Sequence, residues 1–255
     1  MKRPRPFVKR FVSWPLALLI SALLGVALHV LAAEGQTTGG RPGSPTGSLQ
    51  GVVRLEGPTP PRPTIVQNTT DPAVCGRTHT LEDWLVSSRN HGLQNVIVTV
   101  EGVPADKIPS GAPGHLVLDN RKCGFLPHAS VLTVGSTIEV VNSDPILHTV
   151  HFYSPVDMNI ALPLKDMRVS RRVDTAGTIV VKCDVHGWMQ AFVKVDNHPF
   201  HGVSDASGSF RISDVPPGDY VLHSWHEKLG DRRQNVRIRA GEVTALTVAY
   251  SSEQR

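Results

Sequence analysis

The sequence predicts an all-β fold, two β-sandwiches behind an N-terminal apolar leader helix, and three observations carry that prediction. Short alternating or β-branched runs recur from residue 49 onward, separated by Gly, Pro and Asp turns. The 22 Gly and 20 Pro among 255 residues break the chain often enough to keep those runs short. Beyond residue 48 one stretch alone, Leu81–Ser88, starts like a helix, with Glu82, Asp83 and Trp84 after Thr80. Apolar residues at 40% against charged residues at 19% supply conventional cores. A wholly disordered chain, a long coiled coil and a polytopic membrane protein are excluded.

The leader comes first. Lys2, Arg3, Arg5, Lys9 and Arg10 precede an apolar run from Pro15 to Ala33, which ends in small residues. A positive start, an apolar middle and a small-residue end read as a secretory signal over 1–33. A run of this length also approaches a membrane span, so the leader is either cleaved or kept as an anchor. Both readings place the folded part in the periplasm or elsewhere outside the cytoplasm. The formal charge of +4 belongs to this leader: without it, 21 basic face 22 acidic residues. Nucleic acid therefore loses its electrostatic case as a partner. Residues 34–47 form a Gly/Pro/Ser/Thr linker.

Strands are expected at Leu49–Leu55, Asn95–Val100, His115–Leu118, Val131–Val134, Thr137–Val141, Thr178–Lys182 and Ala191–Val195. Further strands are expected at Ser209–Ile212, Tyr220–Trp225, Asn235–Arg239 and Val243–Tyr250. On the Tyr220–Trp225 strand, alternation is expected to put Trp225 in the core and His226 outside.

The chemistry concentrates in two places. One strand runs through Val140-Val141-Asn142 into a loop ending at His148. The second is Lys182-Cys183-Asp184-Val185-His186-Gly187-Trp188-Met189, between two expected strands. Together they offer two imidazoles, one thiolate and one thioether, a set suited to a soft, redox-active ion. Two His and one Cys with a weak axial Met describe a blue-copper electron-transfer site, whereas zinc more often has closed Cys/His ligation without a thioether.

With these residues, 114–196 resembles the cupredoxins, the blue copper proteins, in their plastocyanin- and amicyanin-like branch. The Cys-x2-His-x2-Met loop of Cys183, His186 and Met189 is the amicyanin-like form; plastocyanin has a longer His-to-Met gap. Phe125-Leu126-Pro127, Val131–Val134, Gly135, Ile138–Val141, Asn142 and His148 follow the same strand order. The resemblance implies one type 1 copper ion held by His148, Cys183, His186 and Met189, and an electron carrier rather than an enzyme. It also implies that His186 reaches the surface, so that a c-type cytochrome or another metalloprotein docks over His186 and Trp188. Trp188 has the alternative of filling the core beneath the loop. Thr149 and Val185 depart from the family, which often has Asn and Pro there.

Cys75 and Cys123 are expected to pair as a disulfide, as thiols outside the cytoplasm usually do. That leaves Cys183 as the odd thiol, which copper ligation would explain. Cys75, Cys123, His79, His91, His128, His151 and Met158 could instead form a second metal site. Residues 202–250 contain Asp205-Ala206-Ser207-Gly208-Ser209-Phe210 and Val215-Pro216-Pro217-Gly218-Asp219-Tyr220. These motifs resemble the carboxypeptidase regulatory-like (transthyretin-like) β-sandwich, a fold that leaves function open. Too few strands follow residue 197 to complete it. Residues 48–103, with a strand near Thr64–Gln67, are therefore expected to supply its other half, the cupredoxin-like unit being inserted. A tandem arrangement, with 48–196 as one embellished unit, is the alternative. Two other functions remain: copper delivery or buffering, which Met158 and Met167 could serve, and an envelope or carbohydrate-binding module with a vestigial copper site.

Overall fold

The structure, a computed structural model, describes residues 45–57, 62–110 and 113–252. The leader and most of the linker lie outside the described residues. Among the described residues, no helix is long and apolar enough to cross a membrane.

The chain is all-β, and its strands gather around two cores. The first core lies between two sheets. One has Gly47–Glu56 at its centre, antiparallel to Ser209–Val215 on one side and parallel to Val243–Ser251 on the other. The other runs His201–Val203, Ile97–Glu101, Gly218–His226, Gly230–Ile238. Leu49, Val53 and Leu55 alternate inward with exposed or half-exposed neighbours, the period expected of a strand with one buried face. They pack on Val98, Val100, Phe210, Leu222 and Tyr250. Gly208 turns the chain before the 209–215 strand at φ 78°, and a Cβ there would lie 2.3 Å from the Val53 carbonyl oxygen.

The second core separates a five-stranded sheet from a four-stranded one. The five are Met158–Leu162, His148–Phe152, Gly177–Lys182, Gln190–Asp196 and Ala129–Thr133; the four are Arg168–Arg172, Thr137–Asn142, His115–Arg121 and Gly124–Leu126. Leu118, Phe125, Val140, Val150, Ile179, Val181 and Val193 fill the space between them. Ile97, Ala129, Phe192 and the half-buried Trp225 make a small apolar contact between the two sandwiches.

Several expectations are corrected. Leu81–Ser88 contains only one 3-10 turn, Glu82–Trp84, because Val86 then bridges Leu93 in extended form. The strand near Thr64–Gln67 exists as Ile65–Gln67, but it pairs with Thr78–Thr80 in a separate ribbon and not with the first sandwich. The facing of Trp225 and His226 is reversed. Tyr220, Leu222, Ser224 and His226 point into the first core, so Trp225 points out of it, edge-on to Phe192 at 4.9 Å.

Candidate metal centre

His148 opens the 148–152 strand after a loop that Asn142 holds in place. The Asn142 amide donates to the carbonyls of Ile146 and Leu162, and its Oδ1 accepts from the Asp144 backbone N–H. Cys183 follows the 177–182 strand. The loop to Met189 is closed by Met189 N–H donating to the His186 carbonyl at 2.9 Å, after which Gln190 restarts a strand. Two adjacent strands, 148–152 and 177–182, thus deliver both loops to one end of the five-stranded sheet.

At that end the side chains converge. Cys183 Sγ lies 4.0 Å from His148 Nδ1 and 3.7 Å from His186 Nδ1, and all three residues are buried. Their donor atoms fall within 4.8 Å of one another. Met189 is buried in the same core. Thr149 N–H donates to Cys183 Sγ at 3.4 Å, while Thr149 Oγ1 accepts from the Asp184 N–H at 2.7 Å. Thr149, where the resembled family often has Asn, thereby ties the two loops together.

Both imidazoles are held from behind. His148 Nε2 meets Asp144 Oδ2 at 3.0 Å, and His186 Nε2 meets Asp71 Oδ2 at 3.1 Å. A carboxylate only accepts, so each Nε2 carries the hydrogen, and in the neutral form of either ring it is Nδ1 whose lone pair faces the thiol. Burial pulls the His148 imidazole below its ordinary pKa, the neighbouring His186 adds to this, and Asp144 opposes it. A ring kept neutral is the form that binds a metal.

Cys75 and Cys123 are joined as a disulfide, which leaves Cys183 unpaired. The bond removes both thiols from a second metal site, and Asp144, near Cys123, already serves His148. His151 is engaged by Asp184, and His128 by Glu227. Met158 and Met167 are half-buried against the core.

His186 does not reach the surface. Its ring is fully buried beneath the segment carrying Asp71, so a partner cannot dock on its edge. Trp188 is half-buried, lies 5.1 Å from the His186 ring, and donates its Nε1–H to the Cys123 carbonyl. It lines a cavity of about 440 Å³ with Met189, His79, Lys182, His128 and Glu227. Sequence reasoning missed both carboxylates. Asp144 stands four residues before His148, a spacing that could have been read. Asp71 is 115 residues from His186 and gave no signal.

The family described as "Polysaccharide lyase family 4, domain II" matches residues 171–246, less than half of the chain. A comparison with curated proteins finds no match. Among solved structures, a reduced-state amicyanin mutant is 29% identical over 35% of this chain and 96% of its own, with a TM-score of 0.28. An amicyanin mutant in its Cu(I) form is 26% identical over 39% and 98%, also at 0.28. The Cu-containing nitrite reductase of Thermus scotoductus SA-01 is 20% identical at 0.28. The aligned region covers 31% of this chain and spans only 22% of that enzyme's length.

Proposed function

We propose that the protein is an exported carrier of single electrons, not an enzyme, with one copper ion held by His148, Cys183 and His186 and with Met189 as a weak fourth donor. The observation that carries this reading is the convergence of two imidazole Nδ1 atoms on one unpaired, buried thiol. A donor set of two imidazoles, thiolate and thioether fits copper better than zinc, calcium or magnesium. When bound, copper supplies a one-electron Cu(I)/Cu(II) couple.

The chain's own residues then prepare the site. Asp144 and Asp71 fix which ring nitrogen faces inward. The Thr149 N–H bonds to the sulfur and draws charge from it, which favours the reduced state. Burial excludes water, and the two sheets keep the loops from rearranging when charge changes. The scaffold we assign is a cupredoxin-like unit, 114–196, inserted into a sandwich made from 48–103 and 197–250. A c-type cytochrome or another metalloprotein in the periplasm is the expected partner.

Reconstitution with Cu(II) tests this reading. An intense thiolate-to-metal absorption and narrow hyperfine splitting are expected, both lost in Cys183→Ser. A colourless protein loaded with one copper refutes it. Met189→Leu should keep copper and raise the potential, since losing a weak donor destabilises Cu(II) more than Cu(I).

Copper delivery or buffering would be favoured by exposed Met and His beyond the four ligands, and Met158 and Met167 are half-buried. The family match over 171–246, which runs from the second sandwich into the first, is the ground for a carbohydrate-binding reading of the first sandwich. Against that, its described aromatic side chains, Trp84, Phe200, Phe210, Tyr220, Trp225 and Tyr250, are buried or half-buried. Retention of the protein on an insoluble polysaccharide, without copper colour, would support that reading instead.

A further inference from the structure

We infer that Asp71 is a positioning residue and that the segment carrying it is a cap that seals the metal centre. The inference rests on the copper reading for its effect on potential, but not for its effect on access.

The cap is built rather than draped. Asn68 is buried and folds the segment on itself: its side chain donates to the Gly76 carbonyl and accepts from the Thr70 N–H. Its backbone N–H donates to the Arg77 carbonyl. The Pro72–Cys75 turn follows, and the Cys75–Cys123 disulfide fastens its end to the second sandwich. Cys123 is itself fixed, since its N–H donates to Asp144 Oδ2, the oxygen that also meets His148. One disulfide therefore joins the segment that carries Asp71 to the residue whose N–H bonds to Asp144, so the supports of the two imidazoles are linked through it.

Asp71 stands where an aspartate ordinarily caps a helix, yet its side chain makes no capping bond. The residue adopts φ 48°, which is unusual for a side chain bearing a Cβ, and its carboxylate goes to His186 Nε2. With 41% of the Asp71 side chain exposed and none of the His186 ring, the carboxylate forms the outer layer over the ligand. It acts in two ways: it blocks the approach to Cys183 along the His186 side, and by accepting from Nε2 it fixes the ring with Nδ1 toward the thiol and makes that nitrogen a stronger donor to a metal.

Two measurements on the full chain test the two effects. In metal-free protein, Cys183 is the unpaired thiol, so its alkylation by N-ethylmaleimide reads access directly. Asp71→Ala should accelerate alkylation about tenfold or more, the loss expected when a charge-assisted bond is removed. Asp71→Asn keeps an acceptor and should remain close to wild type. A Cys75→Ser/Cys123→Ser double variant, checked for a retained β-sheet spectrum, should also react faster because its cap is unfastened.

In copper-loaded protein, Asp71→Asn should raise the potential, because the uncharged amide leaves His186 a weaker donor to Cu(II). A tenfold loss in the preference for Cu(II) corresponds to about 59 mV. Equal alkylation rates in wild type and Asp71→Ala overturn the cap. Equal potentials in wild type and Asp71→Asn overturn the effect on the ligand. If wild type binds no copper with a thiolate band, the proposed function falls, and the alkylation arm still decides the cap.

Discussion

Stability should fall steeply between pH 6.5 and 4, and His226 should account for much of the fall. The residue ends the 218–226 strand with its ring 1% exposed, near the rings of Trp84 and Tyr250. Its Nδ1 accepts from the Lys228 N–H at 3.3 Å, so the neutral ring is the one the structure accommodates. Burial pushes its pKa from 6.5 down to about 4; His128 and Lys228 push the same way, and Glu227 and Asp83 oppose them. Because the folded value lies below the unfolded one, the unfolded chain binds the extra proton in this window, and stability is lost as pH falls. A shift of this size corresponds to about 3 kcal/mol, of which about 2.5 kcal/mol is gone by pH 4.5. Against a total stability of roughly 5–15 kcal/mol this is a visible fraction. Urea unfolding at pH 7 and pH 4.5, in wild type and His226→Gln, isolates the residue, because the intrinsic cost of the substitution cancels between the two pH values. His148, His79 and His198 are shifted in the same direction and remain in both proteins. Depressed carboxylates such as Asp196 titrate below this window. If wild type and His226→Gln lose the same free energy between the two pH values, the argument from burial is wrong.

Two further outcomes follow from local geometry. Cleaving the Cys75–Cys123 bond, which joins residues 48 apart, should cost about 4 kcal/mol by chain entropy and lower the urea midpoint; an unchanged midpoint would mean that the reduced chain is already constrained. Gly208→Ala combines a positive φ with a Cβ 2.3 Å from the Val53 oxygen and 2.7 Å from the Gly92 Cα, so it should destabilise by about 2 kcal/mol or more. A loss below about 0.5 kcal/mol in the same assay would show that the turn relaxes freely.

The convergence of His148, Cys183 and His186 was legible because each ends or follows a readable strand. Cys183, His186 and Met189 share one tight loop, and His148 follows a strand whose alternation is plain. The long strands of the first sandwich were legible for the same reason: Leu49, Val53 and Leu55 repeat with period two. What was hidden depends on contacts between distant segments. Nothing near Asp71 announces His186, and nothing near Trp225 announces Phe192, which gives its outer face an apolar neighbour and leaves the core to His226. The 168–172 strand, Arg-Val-Ser-Arg-Arg, was missed because it is mostly exposed and, among the described residues, is an edge strand beside 137–142, so it carries little apolar signal. The 148–152 strand was hidden by its two histidines, which look polar in sequence although His148 is buried.

The topology makes one strong prediction about fragments. In the three-stranded sheet Gly47–Glu56 is the central strand, and in the facing sheet Ile97–Glu101 lies between His201–Val203 and Gly218–His226. A fragment of residues 197–255 therefore lacks an inner strand from each sheet, and its 209–215 and 243–251 strands have no direct pairing with each other. Seven of the eighteen residues in the first core, Leu49, Val53, Leu55, Leu93, Val96, Val98 and Val100, are lost with residues 45–103. Burial of an aliphatic side chain contributes roughly 1.5–3 kcal/mol, so the loss is on the order of 10–20 kcal/mol. That equals or exceeds the whole stability of an ordinary domain. The fragment should show no cooperative unfolding by circular dichroism. A single chain joining residues 45–103 to 197–252 through a short Gly/Ser linker should regain it, since the 101 and 201 ends lie on paired neighbouring strands, where His201 faces Thr99. Cooperative unfolding of the fragment alone would show that its strands can close a sheet without their central partners, and the tandem arrangement would then be the better description of the chain.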